Sequence, residues 1–332
     1  MSAMPIKERE TVSVGTEGSS YSCGVCGAEV KIVRKPVQDP KCPTLLCCGK
    51  PMTLTRPLTI EAIDEVVAGR YGSFAASGGF REECCGGRTD DSGYAVDLGL
   101  YGEADLGLVP ELALDLSRGC GNPTSFAELQ PGETVVDFGC GGGVDVILAA
   151  HKVGTEGRVI GLDFAPEMIE RAGQSIAKAG LQDHQIDLAV ANLTSTGLPD
   201  ASVDVVISNC VMNLCPDKEA VYQEAFRILR AGGRLAISDI IFTESIEPDL
   251  QARFQANWTG CMAGAMPEHE YLELVHHTGF TVPDVVACHL LSPEALDAMA
   301  SCPGPQFTEV PAVADMAAIA DKLASVKFTA NK

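Results

Sequence analysis

The stretch TVVDFGCGGGVDVILAA, residues 134–150, decides the fold. It opens on an apolar, β-branched run that reads as a buried strand. Glycines follow, and then an apolar segment that reads as the start of a helix. Glycine at such a strand-to-helix turn lets the backbone bend sharply and approach a ligand closely. A dinucleotide fingerprint needs G-x-G-x-x-G, but position 144 is Val. The glycines instead read G-x-G-x-G at Gly139, Gly141 and Gly143. Asp137 stands two residues before the first of them. A carboxylate there repels a pyrophosphate and suits a ligand that carries an ammonium group.

Working outward, apolar runs recur at 158–163 (RVIGLD), 186–191 (IDLAVA), 203–208 (VDVVIS) and 233–240 (GRLAISDI). Helical stretches separate most of them. One is predicted over 216–230, opened by Pro216 and Asp217 and closed by Gly232 and Gly233. The link 192–202 is too short for a helix. Strands alternating with helices predict an α/β, doubly wound parallel sheet. Runs at 280–289 and 324–330 are expected to finish one edge, leaving 241–279 and 290–322 as insertions. Asp163 ends the second strand, where an acid can bind both ribose hydroxyls. Asn192 and Leu193 end the third, where an amide can meet a purine edge and Leu can cover its face. An ordinary loop turn is the competing reading of Asn192. Together these features favour S-adenosylmethionine (SAM), with its cationic sulfonium and ammonium, over a nicotinamide cofactor.

The 332 residues carry a formal net charge of −21. That excludes the basic face that nucleic acid requires. The charge is uneven: residues 1–60 hold eight basic and five acidic residues, so all the excess acid lies beyond them. The start, MSAMPIKERE, has no apolar run and predicts no secretory leader. No stretch approaches the ~20 apolar residues of a membrane span. A cytoplasmic protein is expected, in which most of the 14 cysteines are thiols, metal ligands or catalytic groups. Three regions are expected: 1–57, a polar tail and a small Cys-rich unit; 58–118, a helix near 59–76 and a Gly-rich segment; and 119–332, the α/β domain.

Several cysteines fall where a ligand binds, outside the carboxyl ends of the strands. Cys210 follows the fourth strand in SNCVMNLCPDK, residues 208–218. Cys261 lies beyond the fifth in WTGCMAGA, residues 258–265, and Cys120 precedes the first in GCGNP, residues 119–123. Cys84 and Cys85 form a doublet in a Gly-rich loop. A lone cysteine is usually a small buried hydrophobe. Several near one ligand face, flanked by glycine, read as accessible thiols.

These motifs, with AFRILRAGG at 225–233 and DFGCGGGVD at 137–145, closely resemble the arsenite SAM methyltransferases over residues 60–332. The resemblance implies the class I SAM-dependent methyltransferase fold and methylation of trivalent arsenic, arsenite and methylarsenite, for detoxification. It implies arsenic ligands at Cys120, Cys210 and Cys261, and a redox partner at Cys84 or Cys85. It also implies a cofactor site built on Asp137, Gly139, Gly141, Gly143, Asp163, Asn192, Leu193 and Asn209. A thiol reductant, thioredoxin or glutathione, would reset the enzyme. Cys140 stands where the family usually has Ser or Gly. The alternative is a SAM methyltransferase acting on carbon or oxygen of a small metabolite, with the cysteines structural. A thiol-based metal sensor is a third reading, but it leaves the glycine loop unexplained.

Near the start, YSCGVCG at 21–27 and LCCGKPM at 46–52 bracket a short loop. Cys23, Cys26, Cys47 and Cys48 are the expected ligands of a metal that ties together a segment too small for a core. The Cys-Cys pair is unusual for a zinc ribbon. The sequence resembles the desulforedoxin or rubredoxin-like iron modules over residues 20–53, which implies iron, with zinc second. Both metals take tetrahedral sulfur sites.

Overall fold

The computed structural model describes residues 60–78, 101–256, 260–291 and 317–332, together with short strands between residues 20 and 54. The α/β part is a seven-stranded sheet with helices on both faces. Five strands are parallel: β6 (Thr134–Phe138), β7 (Arg158–Asp163), β8 (Gln185–Val190), β9 (Val203–Asn209) and β10 (Leu229–Phe242). Near the C-terminus, β11 (Asp284–Leu290) and β12 (Leu323–Asn331) complete it, in the order β11-β12-β10-β9-β6-β7-β8. β12 runs antiparallel to both of its neighbours. The sheet is therefore mixed, and the two late runs expected at its edge are both strands of it.

The chain starts this sheet in the middle. From β6 it moves to one side through β7 and β8, then returns to β9 on the other side. The order reverses between β6 and β9, so their carboxyl ends diverge around a crevice. Central strands buried on both faces need continuous apolar runs. Val135, Val136, Val205, Val206 and Ile207 are wholly buried.

Eight helices are described: α1 (Ile60–Ala76), α2 (Glu103–Leu106), α3 (Glu111–Leu114), α4 (Val144–Val153), α5 (Pro166–Lys178), α6 (Lys218–Ile228), α7 (Pro248–Ala256) and α8 (Glu268–His277). One apolar cluster packs α4 against β6 and β7, and another packs α6 and α8 against β9, β10 and β12. Truncating Phe138, wholly buried in the second cluster, to Ala would cost about 3–5 kcal/mol. In α1, Ile63 and Val67 are buried and Ile60 is exposed.

Asp217 caps α6 by accepting a hydrogen bond from the Ala220 amide at 3.0 Å. The helix then stops two residues earlier than predicted. Leu229 already pairs with Val203, and Gly232 (φ 78°) lies in the break before Arg234 resumes pairing with Val205. The glycine pair thus shapes an irregular strand entry rather than the helix end. The helix-free link between β8 and β9 is held from α6. Glu224 accepts from the Thr196 amide and hydroxyl at 2.7 and 2.6 Å, and Arg227 donates to the Leu198 carbonyl at 2.8 Å.

Near the N-terminus, β1 (Ser20–Ser22) pairs antiparallel with β2 (Glu29–Lys31) and β5 (Thr53–Leu54). β3 (Leu46–Cys47) pairs antiparallel with β4 (Lys50–Pro51). Cys23, Cys26, Cys48, Cys84 and Cys85 lie outside the described residues, and of Cys47 only the strand backbone is described. Among the described residues, no helix is long and apolar enough to cross a membrane.

Candidate active site

The crevice at the carboxyl ends of β6, β7 and β9 holds a cavity of about 290 Å³, near the lower end of small-molecule sites. The glycine loop forms its floor. Gly139, Gly141 and Gly143 have φ of 78°, 50° and 92°, a region that favours residues without a side chain. A Cβ on Gly139 would stand 2.2 Å from a Val211 methyl. Asp163 ties the glycine loop to the start of α5, accepting from the Gly141 and Ala165 amides at 2.9 Å each. Leu193 and Asn192 line the cavity as well. The Asn192 amide oxygen, however, accepts from the Thr194 amide and hydroxyl at 2.9 Å each, closing a local turn.

Asp137 is buried behind the loop. Burial pushes its carboxyl well above the usual range, and the like charges of Asp145 and Asp163 push it the same way. A crowd of carboxylates in low dielectric is relieved by a cation. The donor set therefore fits SAM, whose ammonium and sulfonium are positive. Cys140 packs under the loop, where a Cβ on Gly161 would stand 3.1 Å from its sulfur. Burial raises its thiol strongly, as expected for a small packing residue.

Three further groups line this cavity that sequence reasoning did not place there. Tyr71 comes from α1, and burial raises its hydroxyl to about 12. Tyr101 and Asp145 form a pair, with the hydroxyl donating to the two carboxylate oxygens at 3.0 and 3.1 Å. Asp145 sits inside the glycine motif and was open to prediction from its position. Tyr101 sits in a segment with neither strand nor helix period, and nothing local marks it.

The thiols converge where β9 ends. Cys210 follows β9 with φ 62°, a left-handed backbone that cysteine seldom adopts, held by the hydrogen bond that its amide donates to the Ser238 carbonyl at 2.7 Å. Its sulfur lies within 4.8 Å of that of Cys120. Cys120 and Cys210 are buried, and Cys261 is half-buried against the same apolar cluster as both. The two neighbouring thiols, then burial, push the Cys210 thiol up, and burial pushes Cys120 up. The three cysteines are free.

The Cys120 loop is seated tightly. Its carbonyl accepts from the Ser325 hydroxyl at 2.7 Å, and its sulfur lies 3.8 Å from the Ser238 hydroxyl. A Cβ on Gly121 would fall 1.9 Å from that hydroxyl, and one on Gly119 2.3 Å from the Asn209 amide nitrogen. Only glycine permits so close an approach on both flanks. Asn209 lines the cavity and bonds to this loop. Beneath the thiols, Asp239 lies with a carboxylate oxygen within 4.8 Å of the Cys120 and Cys210 sulfurs. It accepts from the Tyr271 hydroxyl at 2.8 Å, and burial raises it to about 6.

Residues 129–279 match the family model described as a methyltransferase domain. With the strand order and the glycine loop, this shows the fold of the class I SAM-dependent methyltransferases. The chain is, more narrowly, homologous to arsenite methyltransferases. It is 39% identical over 238 residues to the arsenite methyltransferase of Halobacterium salinarum, covering 68% of this chain and 59% of that protein. It is 30% identical over 184 residues to the arsenite methyltransferase of Mus musculus, covering 48% and 44%. The chain thus spans about half the length of these relatives. Among solved structures, it resembles CrArsM, an arsenic(III) S-adenosylmethionine methyltransferase from Chlamydomonas reinhardtii. The TM-score is 0.55 at 28% identity, covering 69% of this chain and 72% of that one.

Proposed function

We propose that the chain methylates trivalent arsenic, arsenite and then methylarsenite, with SAM as methyl donor, as a detoxifying enzyme of the cytoplasm. The observation that carries this reading is the convergence of three thiols from distant segments in one cluster, with Cys210 on the wall of the cofactor cavity. Trivalent arsenic is soft and prefers sulfur to carboxylate or imidazole. Each thiol gives its proton to an arsenite hydroxyl, which leaves as water. Three As–S bonds then replace three As–O bonds, and the arsenic keeps its lone pair. SAM, when bound, supplies a sulfonium-borne methyl group open to such a soft nucleophile. No general base is needed, because arsenic loses no proton. The task of Cys120, Cys210 and Cys261 is alignment. The glycine loop, Asp137 and Asp163 hold the donor.

Methylation takes arsenic formally to the pentavalent state. Two thiols closing a disulfide return the two electrons, which gives Cys84 or Cys85 a role as redox partner. Thioredoxin or glutathione then reduces that disulfide. The N-terminal cysteines Cys23, Cys26, Cys47 and Cys48 hold iron, or zinc in its place.

Incubation with SAM, arsenite and a thiol, followed by arsenic speciation, tests the reading. Methylated arsenicals are expected from the wild type. Cys210→Ser and Cys261→Ser are expected to bind SAM normally and to form none. Normal turnover by either variant would overturn the ligand assignment. Absence of methylated arsenicals from the wild type would favour a carbon or oxygen acceptor.

A further inference from the structure

Asn209 ends β9 and directly precedes Cys210. Its side-chain oxygen accepts from the backbone amides of Cys120 at 2.9 Å and Gly121 at 3.1 Å. Its nitrogen donates to the Gly121 carbonyl at 2.7 Å, and to Asp145 and the Tyr101 hydroxyl at 3.0 Å each. Both lone pairs of the oxygen and both hydrogens of the nitrogen are thereby engaged. No capacity remains for a direct bond to a bound cofactor.

The direction of the amide is fixed as well. An ionised carboxylate only accepts, so Asp145 must face the nitrogen, and Tyr101 holds Asp145 in place. The oxygen is left pointing at the two amides that flank the Cys120 carbonyl. Glycine at 119 lets the loop press onto this support, and glycine at 121 lets it press onto Ser238.

We infer that Asn209 is a positioning residue that sets the spacing between the Cys120 and Cys210 thiols, rather than a ligand of the methyl donor. This deepens the arsenic-site reading and rests on it. One amide grips the backbone on both sides of the Cys120 carbonyl, while the backbone of the same residue leads into Cys210. The separation of the two sulfurs is thus built into the scaffold. Because Tyr101 and Asp145 also line the cofactor cavity, the same network registers the thiol pair against the donor.

The test titrates wild type and Asn209→Ala with arsenite alone, followed by arsenic–thiolate absorption, and with SAM by calorimetry. Removal of the strut is expected to weaken arsenite binding about a hundredfold, the cost of a misplacement near 1 Å. SAM affinity is expected to hold within about threefold, or under 1 kcal/mol. Loss of SAM affinity with arsenite affinity intact would overturn the inference. Phenylarsine oxide, which takes two thiols, reads the Cys120–Cys210 spacing in a Cys261→Ser background, whatever the natural substrate. Asn209→Ala is expected to weaken that probe too, and equal binding would count against the strut.

Asn209→Asp keeps the two acceptor contacts but sets a carboxylate against Asp145. Adding Asp145→Asn restores a donor between them and is expected to recover part of the arsenite affinity. No recovery would reduce Asn209 to a residue needed for folding alone. If the wild type itself binds no arsenite but binds phenylarsine oxide, the arsenic reading fails while the positioning inference stands.

Discussion

Asp137 carries the most direct consequence at the scale of single residues. Burial, with Asp145 and Asp163 beside it, raises its carboxyl well above the ordinary value. A bound ammonium favours the carboxylate and lowers that pKa again. SAM affinity is therefore full above the raised value and declines as pH falls through it. Titration of SAM affinity against pH is expected to show this, and Asp137→Asn to flatten the profile at lower affinity. A wild-type profile as flat as the variant's would remove Asp137 from the site. Cys210 makes a second case, because its left-handed backbone costs a non-glycine residue about 1–2 kcal/mol. Urea unfolding is expected to find Cys210→Gly about 1 kcal/mol more stable than Cys210→Ser, with both unable to hold arsenite. A chain selected for stability alone would place glycine there.

Among the elements, the joint between α6 and the β8–β9 link depends on Glu224. Burial alone would raise its carboxyl, but the hydrogen bonds from Arg227 and Thr196 prevail and hold it at about 2. The unfolded value is about 4.3. The stabilisation is thus complete above the unfolded value and is lost as pH falls toward the folded one. Glu224→Gln is expected to be less stable than wild type at neutral pH, with the gap closing through that window. Thermal melts across the acid range test it, and a gap independent of pH would refute it. The same joint shows where sequence patterns reach their limit. The apolar face of α6 was legible, but its end was not, because Leu229 is captured by pairing with Val203 before the glycines are reached. The antiparallel sense of β12 was equally invisible, since periodicity reports a strand and not its direction.

For the whole molecule, the charge division noted in the sequence separates the slightly basic Cys-rich unit from the acidic α/β part. Anaerobic purification of the full chain, with metal analysis and an absorption spectrum, is expected to find iron bound through cysteine sulfur. Neither iron nor zinc above background would refute the metal site. Unchanged methylation after removal of residues 1–57 would show that any such metal has no part in electron delivery. The candidate site was legible to the extent that its residues sit in short motifs beside strand ends. Cys210 and Asp163 follow from strand position alone. The wall supplied by α1 and Tyr101 was not, because its nearness to the glycine loop is created by long-range packing.

The three thiols stand at positions 120, 210 and 261, so the denatured chain contains no such trio. Whatever binds all three binds the native state and draws the folding equilibrium toward it. An arsenical that occupied the trio would therefore hold the native state against unfolding.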